Sequence, residues 1–504
     1  MREDWDLLIT GATVYDGLGG APYVADVAVR GERIAAVGQL DGHAGALVDG
    51  QGLALSPGFI DVHSHDDLAV VLTPAMDFKV MQGVTTDVVG NCGLGAAPFH
   101  VASLMFRSFH TERPFPSWEG YGGYLDLIDR EPPSLNVAAL VGHNALRYGA
   151  TGSEARAPDA SEMRRMRDWL DEGLKAGAIG LSTGLIYEPG CFAREEEIVA
   201  LAADVAAAGG LYATHMRNEA NALLASVRES VHVGEAAGVP VQISHHKATG
   251  RSNWGRVRDS LRVIDEARAR GVDVTADQYP YTAGSTTLHA VMQNGALGSR
   301  AKEGGLGRVR PADVLFASVP RHPSWEGRSL EHVARDLRLP AEAAAQRVLQ
   351  EDRNAVVILE VADENDVRTV MRHPTTMIGS DGIPASGANP HPRLYGTFPR
   401  VLGYYARDQG VLSLEEAIRR MTSFPATKFR LQDRGVIRAG AFADLVLFDA
   451  ATIADEGSYA EPRRYPRGVH KVLVNGVRVV DAGTHTGARP GKALRRAARD
   501  LTQA

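Results

Sequence analysis

The sequence predicts an α/β fold. We read a (β/α)8 TIM-like barrel, a small β-sandwich domain formed from both chain ends, and an insertion after the seventh barrel strand. Three observations predict it. The two ends share a texture of short strands; eight apolar strands between them alternate with helical stretches; and one connection is far too long for a loop. The chain has 504 residues, more than one core usually holds, although barrels run long as single domains.

The N-terminal texture is seen in "DLLITGATVYDG", "ADVAVRGERIAAVG" and "ALVDGQGLALSPG", where alternating apolar residues meet Gly turns. It returns in "GAFADLVLFDA" and "GVHKVLVNGVRVVDAG". Asn475-Gly476 between "KVLV" and "VRVV" signals a hairpin, because both central positions of a type I′ turn need positive φ. Pairing the ends into one β-domain over 1–56 and 426–490 brings the termini together; two independent strand pairs are the alternative. The barrel is expected over 57–425. Its strands end at "GFIDVHSH", "TTDVVGNC", "NVAALVGHN", "AIGLSTGLIYE", "LYATHMRNE", "VPVQISHHK", "VDVTADQYP" and "TTMIGSDG". Eight is the number that closes such a barrel. Residues 282–374 exceed a loop of about 2–6 residues and read as a lid over the barrel mouth.

Composition narrows the function. The chain is 44% hydrophobic and 23% charged, with a net charge of -7, which is ordinary for a soluble globular protein. No long basic run marks a nucleic-acid or anionic-membrane footprint. No secretion signal opens the chain, and no run of about 18 apolar residues suggests a membrane span. Only two cysteines are present, so a disulfide framework is excluded and the cytoplasm is the default compartment. The partner expected is a small molecule, with neither nucleic acid nor membrane; the oligomeric state is left open.

Chemistry gathers at the strand ends. His63 and His65 follow the first strand, Cys92 the second, and His143 the third. Tyr187 and Glu188 follow the fourth, His215 the fifth, His245 and His246 the sixth, Asp277 the seventh and Asp381 the eighth. In a (β/α)8 barrel all these ends meet on one face. Side chains at i and i+2 of a strand point the same way, so His63 and His65 can reach one ion. Imidazole, thiolate and carboxylate are the donors zinc prefers. Asn and Gly flanking Cys92 argue against a core position for it. Cys191 has no such partners and reads as structural. His245 and His246 point to opposite faces, so one of them faces the site. His143 is open between contacting a ligand, supporting the site, and filling a polar position in the core. Asp66 and Asp67 read as loop and helix-start residues near a positive helix end.

The ordered set of motifs resembles the amidohydrolase superfamily. It is carried by "SPGFIDVHSH", the histidine-terminated fifth and sixth strands, "GSDG" and "GVIRAGAFADLVLFD". "NCG", "GLIYEPG", "THMRNE", "ISHHK", "DQYPYTAGST" and "HPRLYGTFPRVLG" are similar to its D-aminoacylase branch, the N-acyl-D-amino-acid deacylases. The resemblance spans nearly the whole chain. It implies tight zinc binding by Cys92, His215 and His245, which selects His245 over His246. It also implies a second, weaker position formed by His63, His65 and Asp381, with Cys92 shared. Many superfamily members bridge two metals with a carboxylated lysine at the end of strand four. Here "AIGLSTGLIYE" has none, and Lys175 lies at the other end of the barrel. This departure disfavours the hydantoinase and dihydroorotase subtypes.

The implied activity is zinc-dependent hydrolysis of N-acyl-D-amino acids to a carboxylate and a free D-amino acid. The alternative is another amidohydrolase, acting on a cyclic amide, an N-carbamoyl compound or a dipeptide. Asp381 at the metal's edge is the candidate base and then acid, with a pure ligand role as its alternative. A planar guanidinium matches the substrate's α-carboxylate, so Arg393 is the candidate clamp. Lys247, Tyr187 and, more weakly, Tyr281 are its helpers by resemblance, and His143 is kept as a substrate contact.

Overall fold

The computed structural model of the chain describes residues 4–106, 116–297, 304–384 and 389–496. Among the described residues, eight parallel strands follow one another around a single sheet in chain order. They are Phe59–Asp61, Val84–Val89, Asn136–Gly142, Gly180–Gly184, Leu211–His215, Val241–Ile243, Val274–Gln278 and Thr376–Ile378, numbered one to eight below. Every residue in them is buried. That is the property of a parallel sheet covered on both faces, and it explains why the strands read as apolar runs and not as alternations.

Strands one and eight close the ring only past their own ends. The contact is one bridge, Ser64 to Gly382, with the Asp381 amide donating to the His63 carbonyl (2.7 Å) and the His65 amide donating to the Gly382 carbonyl (3.0 Å). The surrounding helices carry strong local signals. Helix Ala160–Ala176 begins with a capping box between Asp159 and Glu162 and ends on Gly177 at φ 114°. Among the described residues no helix is long and apolar enough to cross a membrane.

Nine strands from both chain ends form a second sheet. Its join is Ala54–Pro57 running antiparallel to Leu445–Phe448. Leu7, Ile9, Val27, Val29 and Ile34 from one end pack with Ile437, Leu445, Leu447 and Leu473 from the other. The predicted hairpin is present: Val469–Val474 pairs with Val477–Asp481 across Asn475 (φ 49°) and Gly476 (φ 78°). The chain then returns beneath the barrel, where the Leu494 amide donates to the Val137 carbonyl at 2.7 Å.

The insertion follows strand seven. It is a three-stranded antiparallel sheet, Ala283–Thr287, Val356–Glu360 and Val314–Ser318, with helices Leu330–Leu337 and Ala341–Glu351. Ala283, Ala317, Val356 and Ile358 of this sheet pack on Leu68, Ala102, Phe106 and Ile383. Those partners lie in the connections after strands one, two and eight, Ala102 and Phe106 on helix Phe99–Phe106, so the insertion sits over the mouth of the barrel. Helix Glu364–Arg372 then packs beside helix Val257–Ala269 and leads into strand eight.

The two ends of the chain also pack tightly at the hairpin turn. A Cβ on Gly476 would lie 2.0 Å from the Gly31 carbonyl oxygen. Gly476→Ala is expected to lower stability by about 1–3 kcal/mol, since it combines this clash with a left-handed backbone. Gly487→Ala, at φ 85° with nothing within 4 Å of the new Cβ, should cost less. Urea midpoints of the two variants check the difference.

Candidate metal centre

The strand ends deliver their side chains through left-handed turns. Cys92 (φ 54°), His245 (φ 36°) and Asp381 (φ 50°) each adopt a conformation that L residues avoid. Such a position costs on the order of 1–3 kcal/mol and persists only where the surroundings over-determine it. Each lies two or three residues past its strand. The turn there swings a side chain that would continue along the strand across the mouth of the barrel.

There the donors converge. The Cys92 sulfur lies 3.3 Å from His63 Nε2, 3.6 Å from His215 Nδ1 and 3.6 Å from His245 Nε2. His245 Nε2 and His215 Nδ1 are 2.8 Å apart. Asp381 Oδ1 lies 3.1 Å from His65 Nε2 and 3.5 Å from His63 Nε2. Three trios have ligand atoms within 4.8 Å of one another: His63, His65 and Cys92; Cys92, His215 and His245; and His63, His245 and Asp381. All six side chains are buried. A thiolate with two imidazoles, beside two further imidazoles and a carboxylate, is a donor set that fits zinc, and the spacing fits metal–ligand bonds of about 2.0–2.3 Å.

The charges are set by the same neighbours. Burial alone would push the Cys92 thiol up, but His63, His215 and His245 outweigh it and hold it well below the usual thiol range. Burial would likewise raise the Asp381 carboxyl; Arg393, His245 and His63 hold it well below the usual carboxylate range. The Arg393 guanidinium is 2.8 Å from Asp381 Oδ2.

Behind the donors stand residues that aim them. Asp277 Oδ1 is 3.2 Å from His63 Nδ1 and accepts the His245 amide at 2.8 Å, while Oδ2 accepts from Gln242 Nε2 at 2.8 Å. A proton on His63 Nδ1 leaves Nε2 free to face Cys92. Glu219 Oε1 is 3.0 Å from His245 Nδ1 and 2.7 Å from Lys247 Nζ. Sequence reasoning gave Asp277 no role and passed over Glu219, whose only signal was its place in "THMRNE". Tyr279 was missed too; its ring lies under Arg393 at 4.6 Å and Lys247 at 5.7 Å.

A cavity of about 430 Å³ opens above the donors. Tyr187, Lys247 and Asp381 line it, with Thr286 and Leu359 from the insertion. The Tyr187 ring meets His215 edge-on at 4.8 Å, and its hydroxyl is 3.4 Å from Thr286 Oγ1. Glu188 is exposed at the rim. Arg393 is buried behind Asp381. Two residues expected to contact substrate point elsewhere. Tyr281 stacks edge-on against His391, lies 3.5 Å from Asp455 and carries Arg400 over its ring, so it braces the loops behind the cavity. His143 Nε2 is 2.8 Å from Glu197, with Arg147 on the other oxygen, and the ring is a buried polar group of the core. Its neighbour Asn144 lines the cavity instead. His246 turns away from His245 to Ser260 Oγ at 2.9 Å. Lys175 is exposed on its helix beside Asp171. Asp66 and Asp67 lie in the loop just before helix Ala69–Leu72, as expected, but both are buried, and the Asp66 carboxylate is ion-paired to Lys79 at 3.1 Å.

The comparisons with known proteins agree with this geometry. Residues 46–480 match the amidohydrolase family. The chain belongs to that family. It is 41% identical over 497 residues to an N-acyl-D-glutamate deacylase of Alcaligenes xylosoxydans xylosoxydans, covering 98% of each chain. It is 41% identical over 500 residues to a D-aminoacylase of the same organism, covering 98% of this chain and 99% of that one. It superposes on the crystal structure of an N-acyl-D-glutamate deacylase from Bordetella bronchiseptica with a TM-score of 0.87 and 38% identity, covering 98% of this chain and 100% of that one. That deacylase was crystallised with zinc and a phosphonate inhibitor that mimics the tetrahedral intermediate. This amidohydrolase thus sits in the branch of the N-acyl-D-amino-acid deacylases.

Loss of the aiming carboxylate should weaken the metal centre. Glu219→Gln is expected to reduce zinc affinity by roughly 10- to 100-fold, measured by chelator competition. Gly184→Ala tests the backbone instead. Its Cβ would lie 2.1 Å from the Cys92 carbonyl oxygen, so the variant should lose bound zinc, read by elemental analysis, while keeping its far-UV circular dichroism.

Proposed function

We propose that this protein hydrolyses the linear amide of N-acyl-D-amino acids, with zinc, to a carboxylate and a free D-amino acid. The observation that carries the reading is the Cys92 sulfur shared between two donor trios at the barrel mouth, in a chain similar along its whole length to such deacylases. Cys92, His215 and His245 would hold the tight ion, and His63, His65 and Asp381, with Cys92 shared, a second and weaker one. Zinc when bound supplies a Lewis acid that polarises the amide carbonyl and activates water.

The remaining work falls to side chains. Asp381 faces the cavity beside His63 and His65, and Arg393, His245 and His63 keep it ionised, the form in which it can accept a proton. It takes the proton of the attacking water and hands it to the departing nitrogen. Lys247 supplies positive charge for the α-carboxylate from the cavity wall, Arg393 adds to it from behind Asp381, and Tyr187 closes that side of the cavity. Selectivity for the D-form, which rests on the similarity to the N-acyl-D-glutamate deacylase and the D-aminoacylase, requires the carboxylate contact and the side-chain pocket to be fixed relative to the donors. Two unpaired cysteines, one of them the shared donor, support a reducing compartment such as the cytoplasm.

The decisive assay is a panel of N-acetyl-D-amino acids run beside their L-forms, cyclic ureides, N-carbamoyl compounds and dipeptides, with metal content measured on the same sample. Release of free D-amino acid, with the L-forms poor, is expected. Turnover confined to the ureides, N-carbamoyl compounds or dipeptides would overturn the reading. Asp381→Asn should lower kcat by about 10²- to 10⁴-fold while the tight zinc stays bound. Arg393→Lys should change kcat and KM together, because the guanidinium holds Asp381 at 2.8 Å and an ammonium cannot reproduce its planar fork.

A further inference from the structure

Lys79 is fully buried, and nothing described so far uses it. It lies on the short helix Asp77–Val80, in the connection between strands one and two. Its ammonium pairs with Asp61, lies 3.1 Å from Asp66 Oδ2 and 3.9 Å from Asp87 Oδ1, and donates to Ser380 Oγ at 2.9 Å. All four partners are buried as well. Burying an ammonium with carboxylates is costly, and a well-packed apolar group often serves stability equally well. A cluster of this kind therefore needs a reason besides stability.

Its position supplies one. Asp61 ends strand one, Asp66 follows His65, Asp87 lies in strand two, and Ser380 precedes Asp381. One ammonium therefore ties together the three strands that carry His63, His65, Cys92 and Asp381. These strands include the seam where the sheet ladder is missing. There Asp61 Oδ1 accepts the Ser380 amide at 2.8 Å and the His63 amide at 3.2 Å. Ser380 Oγ accepts the Gly382 amide at 3.0 Å. Gln82, three residues after Lys79, donates to the Leu394 carbonyl at 2.8 Å and so fastens the same connection to the helix Arg393–Arg400. His215 ends strand five and His245 lies two residues past strand six, both outside this network.

We infer that Lys79 is a positioning residue that substitutes for the missing ladder between strands one and eight, and so sets the His63–His65–Asp381 half of the metal centre. Its ammonium pins the Asp61 carboxylate and the Ser380 hydroxyl, and these two in turn hold the backbone of His63 and Asp381. The Cys92–His215–His245 half leans on it far less: His215 and His245 lie outside the network, and Cys92 is tied to it only through Asp87 at 3.9 Å, the longest of the contacts. The metal part of this inference stands without the deacylase reading; the turnover part rests on that reading.

The test is zinc titration of metal-free full-length protein against a chelator, for the wild type, Lys79→Met and Ser380→Ala. Ser380→Ala removes one arm of the network without stranding a buried charge. In both variants the tight position should keep its affinity within about twofold, and the weaker position should lose about 10-fold or more. With the best N-acyl-D-amino acid, kcat should fall about 10-fold or more while KM stays within about threefold, because ground-state binding is untouched. Equal weakening of both positions would make Lys79 a structural residue only and overturn the inference. Two-metal binding and kcat like those of the wild type in both variants would overturn it too, as would a wild type that takes up a single ion. If Lys79→Met does not fold, Ser380→Ala decides alone by the same ratio of affinities. Absence of turnover in the wild type would remove the deacylase reading and leave the titration intact.

Discussion

The Cys92 sulfur lies 3.3 to 3.6 Å from three imidazole nitrogens beneath the mouth of the barrel, and keeping a thiolate buried there constrains most of what surrounds it. A charged sulfur out of water is tolerable only beside positive charge or a metal. The barrel meets that demand by bringing strands one, two, five, six and eight to one face. The imidazoles in turn need fixed orientations, and Asp277 and Glu219 supply them. Those carboxylates are themselves held, by Gln242 and the His245 amide in one case and by Lys247 in the other.

Backbone strain serves the same end. Three of the six donors sit at positive φ, where no glycine relieves them. Strands of three to seven residues, buried throughout, provide the rigid frame that can hold such turns. Glycines next to them accept the close approaches: Gly90 against the Leu140 carbonyl, Gly184 against the Cys92 carbonyl. The insertion adds the outer wall. Its sheet rests on apolar residues from the connections after strands one, two and eight, so the cavity has a rigid floor of donors and a wall from a separate unit.

Much of the site could be read from the chain because each donor follows a short apolar run, and such runs are visible one at a time. His-x-His on a strand needs only the alternation of side chains to be read as a pair. Other residues were opaque. His143 and Tyr281 follow barrel strands just as the donors do, yet a turn of one residue points His143 to Glu197 and leaves Asn144 on the cavity wall. Glu219 sits in a loop, and only the approach of strands five and six brings it to His245. Asp66 read only as a loop residue near a helix end because its partner, Lys79, arrives from a different segment.

What the sequence determined by itself was local: the strands and their order, the hairpin at Asn475-Gly476, the donor types and the absence of a lysine ending strand four. These follow from periodicity, turn chemistry and the nature of single side chains. The tertiary structure decided which donors share an ion, which residues aim them, and how the barrel closes where strands one and eight make no ladder. Those are distances between residues hundreds of positions apart, such as His65 and Asp381 at 3.1 Å. They depend on the direction of each turn at the strand ends, a property of the folded chain and not of any segment alone.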